Sequence, residues 1–197
     1  MTINHCVTGK NKTRSYSGDY MERGLEGQQI VINFLKTNPK ILGVNDWSNL
    51  ELVQDADIDM AIKTKSGHVI LAEIKSDIHL GNTGNVLFEV LRINHTCNPE
   101  FSVGLGWSAR TPAKFIFFYA PAVDKIYRFT SISMRKALQR YTQYARKGTK
   151  IDFVETDNIK STINILIPIR FFNNEFESYQ IKKIPCIVEE KNYGGTR

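Results

Sequence analysis

The sequence predicts an α/β fold, a mixed central β-sheet flanked by α-helices. Three observations carry this. Residues 19–36 place apolar side chains at helical spacing. Residues 57–75 alternate and then run apolar across a Lys65-Ser66-Gly67 turn. Further strand-like apolar runs and a second helical pattern follow. A chain of 197 residues, 42% hydrophobic and 23% charged, matches one globular domain. The expected division is a basic N-terminal segment 1–17, a single domain 18–180 and a tail 181–197.

Ser17 or Asp19 caps the first helix, which runs to about Lys36. Leu25, Ile32 and Leu35, with Met21 and Gln28 nearby, form its core stripe. Glu26 sits at the border of that stripe, between Gly24 and Gly27. Asn38-Pro39 ends the helix, and a first strand is expected within Gly43 to Leu52. Asp59 to Thr64 and His68 to Lys75 form a β-hairpin, the second strand central and buried on both faces. Ser76 to Gly84 reads as a loop and Asn85 to Leu91 as a strand. Val86, Phe88 and Val90 share one face of that strand and Glu89 points the other way. Ile93 to Gly106 reads as a long irregular segment beside the suspected site. Trp107 reads as a core anchor rather than a base-stacking platform. Phe115 to Ala120 and Lys125 to Phe129 are strands joined at Pro121. Ser131 to about Lys147 is a helix burying Met134, Leu138, Tyr141 and Ala145. Asn164 to Ile169 is expected as the last strand, at a sheet edge because of Pro168.

The hairpin sets the chemistry. Gly67 suits the positive φ of a three-residue turn. That turn pairs Thr64 with His68, Ile62 with Ile70 and Met60 with Ala72, and so sets Asp59 opposite Glu73 and Asp57 opposite Lys75. All four charges then share a face. Facing carboxylates repel, Lys75 relieves part of the repulsion, and a bound Mg²⁺ or Mn²⁺ relieves more. The plain alternative is a hydrated hairpin end, and a two-residue turn at Ser66-Gly67 would move Asp59 off the Glu73 face.

Asp59 followed on the next strand by Glu73-Ile74-Lys75 resembles the PD-(D/E)XK nuclease superfamily, which includes restriction enzymes, Holliday-junction resolvases and phage nucleases. The resemblance spans roughly Asp19 to Thr130. It implies a restriction-endonuclease-like fold and a metal-dependent nuclease, with Asp59, Glu73, Lys75 and Glu26 catalytic. It also implies Mg²⁺, with Mn²⁺ able to substitute, on Asp59, Glu73 and the Ile74 carbonyl. Glu26 takes the acidic place that members often carry on a preceding helix. The proline of the motif is missing, since Ile58 precedes Asp59 and Ala56 precedes Asp57. Asp57 is therefore the second candidate for the aspartate, and Glu89 a further reserve acid or the partner of a base. His79, after the motif, reads as an ordinary loop histidine. A homodimer is expected by analogy with relatives.

The formal charge is +6, and Arg110 to Lys150 alone holds ten Lys or Arg against one acid, Asp124. Such bias favours a polyanion, here DNA, with Arg110, Arg135, Lys136, Arg140 and Lys147 on its backbone. Cys6, Cys97 and Cys186 are odd in number and far apart, which suggests free thiols and a cytoplasmic setting. His5, Cys6, His95 and Cys97 lack finger spacing for zinc. No apolar h-region opens the chain and no run reaches membrane length, so no membrane partner is expected. Two rival readings use the same residues. One is a non-catalytic nucleic-acid-binding protein on this fold; the other is an interaction protein that binds an acidic partner.

Overall fold

The computed structural model of the chain describes residues 19–50, 53, 56–94, 102–144, 151–155 and 160–181. In chain order the helices are α1 (Asp19–Lys36), α2 (Leu80–Thr83), α3 (Trp107–Arg110) and α4 (Ser131–Tyr144). The strands are β1 (Ile41–Asp46), β2 (Met60–Thr64), β3 (Val69–Ser76), β4 (Asn85–Asn94), β5 (Ser102–Leu105), β6 (Phe115–Ala120), β7 (Lys125–Thr130), β8 (Ile151–Glu155), β9 (Lys160–Pro168) and β10 (Phe176–Gln180). They form a six-stranded mixed sheet, β1-β2-β3-β6-β7-β10, and a four-stranded sheet, β5-β4-β9-β8. This is the α/β arrangement that the element order predicts.

The hairpin forms in the expected register, from Met60 opposite Ala72 to Lys63 opposite Val69. Gly67 takes φ +87° at the turn, a value that suits glycine. β3 is central, antiparallel to β2 on one side and parallel to β6 on the other. It is buried at its centre, from Ala72 to Ile74, but partly open toward its end, and Val69 at its start is exposed. Parallel pairing needs a crossover, and the segment from α2 to α3 supplies it.

The central sheet buries both faces. On one side Val31, Ile32 and Leu35 of α1 pack on Met60, Ile62, Ala72, Ile74, Phe117 and Tyr119. On the other, Trp107, Ile116, Phe118, Phe129, Met134 and Ala137 join Val86, Phe88, Ile165 and Ile167 of the second sheet. Side chains alternate along a strand, so Ala72 and Ile74 face α1 while Glu73 and Lys75 face the other layer.

Several expectations are corrected. Leu25 is 59% exposed, because α1 turns Val31 inward instead. β1 runs Ile41–Asp46, earlier than expected; Asp46 then accepts the Ser48 N–H and ends the strand. The loop after β3 contains α2, where Asp77 accepts the His79 and Leu80 N–H groups. The segment read as irregular holds the end of β4 and all of β5, which pair antiparallel. β9 lies between β4 and β8, not at an edge. Pro168 sits beyond the last β8 pair, opposite Asn85, where its missing N–H breaks no ladder to β8. β8 and β10 add strands where the sequence reading expects none. The expectations for 1–17, for Ala145 and Lys147, for the Cys/His pairs and for most of the tail fall outside the described residues.

Candidate functional site

β2 stops pairing at Met60 while β3 continues to Ser76. Past Ala72 the outer edge of β3 therefore meets a loop rather than a strand. Asp59 fills the gap: its Oδ2 accepts the Ile74 N–H at 2.6 Å. A residue in an extended strand sends its N–H and C=O to the same edge, so the Ile74 carbonyl also turns toward the Asp59 side.

Glu73 lies on the same stretch and is 2% exposed. Its Oε1 pairs with Lys75, and its Oε2 is buried with no hydrogen-bond partner. Burial pushes the Glu73 carboxyl up to about 7, assisted by Asp59 and Asp57 and opposed by Lys75. Burial pulls the Lys75 ammonium down, but Glu73, Asp59 and Asp57 outweigh it and hold the lysine above its ordinary value. Lys75 also stands 5.1 Å from the centre of the Trp107 ring, a cation–π contact. Trp107 itself is buried against Phe118, so it anchors the core and supports the lysine at once.

Asp57 reaches the cluster by a different route from strand alternation. It adopts φ +52° in the turn before β2 and is 8% exposed. Its Oδ2 accepts Nε of Arg110 at 2.7 Å and Nη2 at 2.6 Å. Its carbonyl accepts the hydroxyl of Thr111 at 2.8 Å. Asp57, Asp59, Glu73 and Lys75 thus interact with one another, but Asp57 is committed to Arg110 and Asp59 to the backbone of β3.

Glu26 stands apart from this cluster. It is exposed on α1, over the face that carries Ile74, and borders a hollow with Arg23, Ser76, Ile78 and Tyr119. Gly27 beside it seats α1 against Ser76 and Tyr119. Burial, Asp124 and Glu26 together push the Tyr119 hydroxyl up to about 12. Glu89 pairs with Arg92 at 3.0 Å, the second of its two expected roles. It marks a bulge in β4, where its carbonyl accepts the Ser108 hydroxyl and crowds Gly106. His79 is an exposed residue before α2.

The expected basic row is largely engaged within the fold. Arg135 donates to the Thr111 carbonyl, and Arg140 to the Phe171 carbonyl and Glu175. Lys136 is exposed beside a hollow that Lys114 and Arg128 also line. Arg128 pairs with Glu177 and stacks on Phe115. The Asp57–Arg110 pair joins positions 53 residues apart, and no periodicity in the sequence marks it.

Among the described residues no three His, Cys, Asp or Glu side chains gather around one point. The available donors are two carboxylates and a carbonyl: Asp59, Glu73 and Ile74. Such a set suits Mg²⁺, which keeps several waters, better than Ca²⁺, which takes six to eight oxygens. The unpartnered Glu73 Oε2 fits it as well, since a buried carboxylate oxygen without a donor is unfavourable unless something cationic meets it. Among the described residues no helix is long and apolar enough to cross a membrane.

No protein-family model matches the sequence, and no curated protein does. Among solved structures the chain is similar to a bacterial homing endonuclease, I-Ssp6803I, at 19% identity and a TM-score of 0.42, over 72% of this chain and 82% of that one.

Proposed function

We propose that the chain is a divalent-metal-dependent nuclease that hydrolyses DNA phosphodiester bonds, acting as an endonuclease. The observation that carries this reading is the buried Glu73 carboxylate: one oxygen on Lys75, the other without a donor, and Asp59 across the open edge of β3. This arrangement is unfavourable for folding and useful for chemistry.

Asp59, Glu73 and the Ile74 carbonyl would hold Mg²⁺ or Mn²⁺. When bound, the ion supplies Lewis acidity toward the scissile phosphate and lowers the pKa of a water. Lys75 has the position for the remaining work. Its ammonium stays protonated, is held between Glu73 and the Trp107 ring, and can orient the attacking water or balance charge on the phosphorane oxygens. Trp107 and Phe118 exclude bulk water from that side, which strengthens each of these interactions. No role is assigned to Glu26, which lies over the other face of the sheet, or to Glu89, which is paired with Arg92.

Incubation with supercoiled plasmid and with branched DNA, with Mg²⁺ or with EDTA, tests the reading. Cleavage is expected with Mg²⁺ alone, and Lys75→Ala is expected to lower it by about 10²-fold or more. Wild-type protein that binds these DNAs and leaves them intact would instead favour the non-catalytic alternative.

A further inference from the structure

Helix α3 touches the acidic cluster at two points. Trp107 meets Lys75, and Arg110 meets Asp57. Positions three apart share one helix face, so a single short helix presents both side chains to the same cluster. Arg110 is the half-exposed member, with its side chain 38% exposed against 8% for Asp57. Its Nε and Nη2 both converge on one oxygen of Asp57, which leaves Nη1 without a partner within the described protein. A planar fork anchored along one edge presents its other donors in a fixed direction, and phosphate oxygens accept them with matching geometry.

The anchor is firmly built. Asp57 holds a left-handed backbone conformation that non-glycine residues adopt at some expense. Thr111, fully buried, fastens its carbonyl, and Arg135 fastens the carbonyl of Thr111 in turn. Arg135 gives one nitrogen to the Thr111 carbonyl, and Arg140 bonds the Phe171 carbonyl and Glu175, both away from the acidic cluster. Arg110 is thus fixed on Asp57, one helical turn from the Trp107 that meets Lys75, while part of its guanidinium stays open.

We infer that Arg110 is a phosphate-binding residue of this site, aimed by Asp57, and that its ligand is a backbone phosphate of a nucleic-acid strand passing Lys75. The identity of that ligand rests on the nuclease reading above. Asp57 is then a positioning residue for the arginine and not a metal ligand.

The test uses the full chain with Arg110→Lys, Asp57→Asn and the double variant Arg110→Ala/Asp57→Asn. The double variant avoids leaving Asp57 buried without its cation. A fluorescein-labelled duplex reports binding by anisotropy in EDTA across a salt series. Plasmid cleavage in Mg²⁺ reports KM and kcat, and melting curves report folding. Arg110→Lys is expected to raise Kd and KM by about tenfold with kcat less affected, since Lys keeps the charge but loses the fork. The double variant is expected to weaken binding and to reduce the slope of log Kd against log salt by about one. Asp57→Asn keeps the salt slope and raises KM.

A double variant that melts near wild type and keeps the wild-type slope and KM overturns the inference, because Arg110 then only neutralises Asp57. If the wild type also cuts in Mg²⁺ under those conditions, the nuclease reading survives that loss. If the wild type never cuts, yet its DNA affinity depends on Arg110 as described, the phosphate contact stands and the nuclease reading falls.

Discussion

At pH 8, in EDTA, Glu73→Gln is expected to melt higher than the wild type. Glu73 is 2% exposed, and its carboxyl titrates near 7 in the folded chain against an ordinary 4.5. Between these values the unfolded chain has lost a proton that the folded chain retains. Stability contributed by the protonated form is therefore complete below about pH 4.5 and is lost as pH rises through about 7. At about 1.4 kcal/mol per pH unit the full difference is about 3 kcal/mol. Glutamine is neutral at every pH and resembles the protonated acid in shape. Lys75 stays cationic across this window, and Asp59 and Asp57 remain beside it, so the lysine keeps anionic neighbours in the variant. For a domain of this length 3 kcal/mol corresponds to about 8 °C in Tm. Differential scanning calorimetry of both proteins at pH 5 and pH 8 reads the effect. The expected pattern is a small gap at pH 5 and a gap of about 8 °C at pH 8, with Gln the more stable. If Gln is the less stable at pH 8, or if the gap does not widen with pH, the ion pair outweighs burial and the reasoning fails.

The same carboxylate gives a binding prediction that needs no substrate. Mg²⁺ at ten times its Kd should stabilise the wild type by about 1.4 kcal/mol, or about 4 °C, while Glu73→Gln and Asp59→Asn should not respond and EDTA should reverse the gain. Equal responses from wild type and both variants would place the ion elsewhere. Gly106→Ala should lose about 3 kcal/mol or more in urea unfolding, because a Cβ there collides with the Glu89 backbone carbonyl at the β4 bulge. A near-neutral result would mean that β4 and β5 separate easily.

The hairpin was legible in the sequence because its cues are local. Alternating residues, a glycine at the turn and a short loop determine which side chains face each other, and Met60 meets Ala72 as those cues require. The helix over 19–36 and the β6–β7 pair were legible for the same reason. In the second sheet the apolar runs of β4 and β9 were legible, but β5 and β8 were not, since each is short and set off from its partner by a polar stretch, and the long-range β4–β9 pairing has no local cue. Leu25 shows another limit. Helical spacing identifies an apolar stripe but not how the helix is rotated on the sheet, and here Val31 took the inward place. The same rotation, and the choice of face, left Glu26 over the side of the sheet away from Glu73. Within the site, Glu73 and Lys75 follow from strand alternation. The commitment of Asp57 to Arg110 does not, because it depends on a left-handed turn and on a helix far downstream.

The short reach of β2 has a consequence for how this domain can change. Two or three further rungs of ladder beyond Met60 would replace the Asp59 side chain on the Ile74 amide with ordinary main-chain pairing. The sheet would gain strength and lose its opening, along with the carboxylate held there. Lengthening that strand is therefore a route by which this architecture becomes sturdier and chemically silent, with the Glu73-Ile74-Lys75 triplet left unaltered.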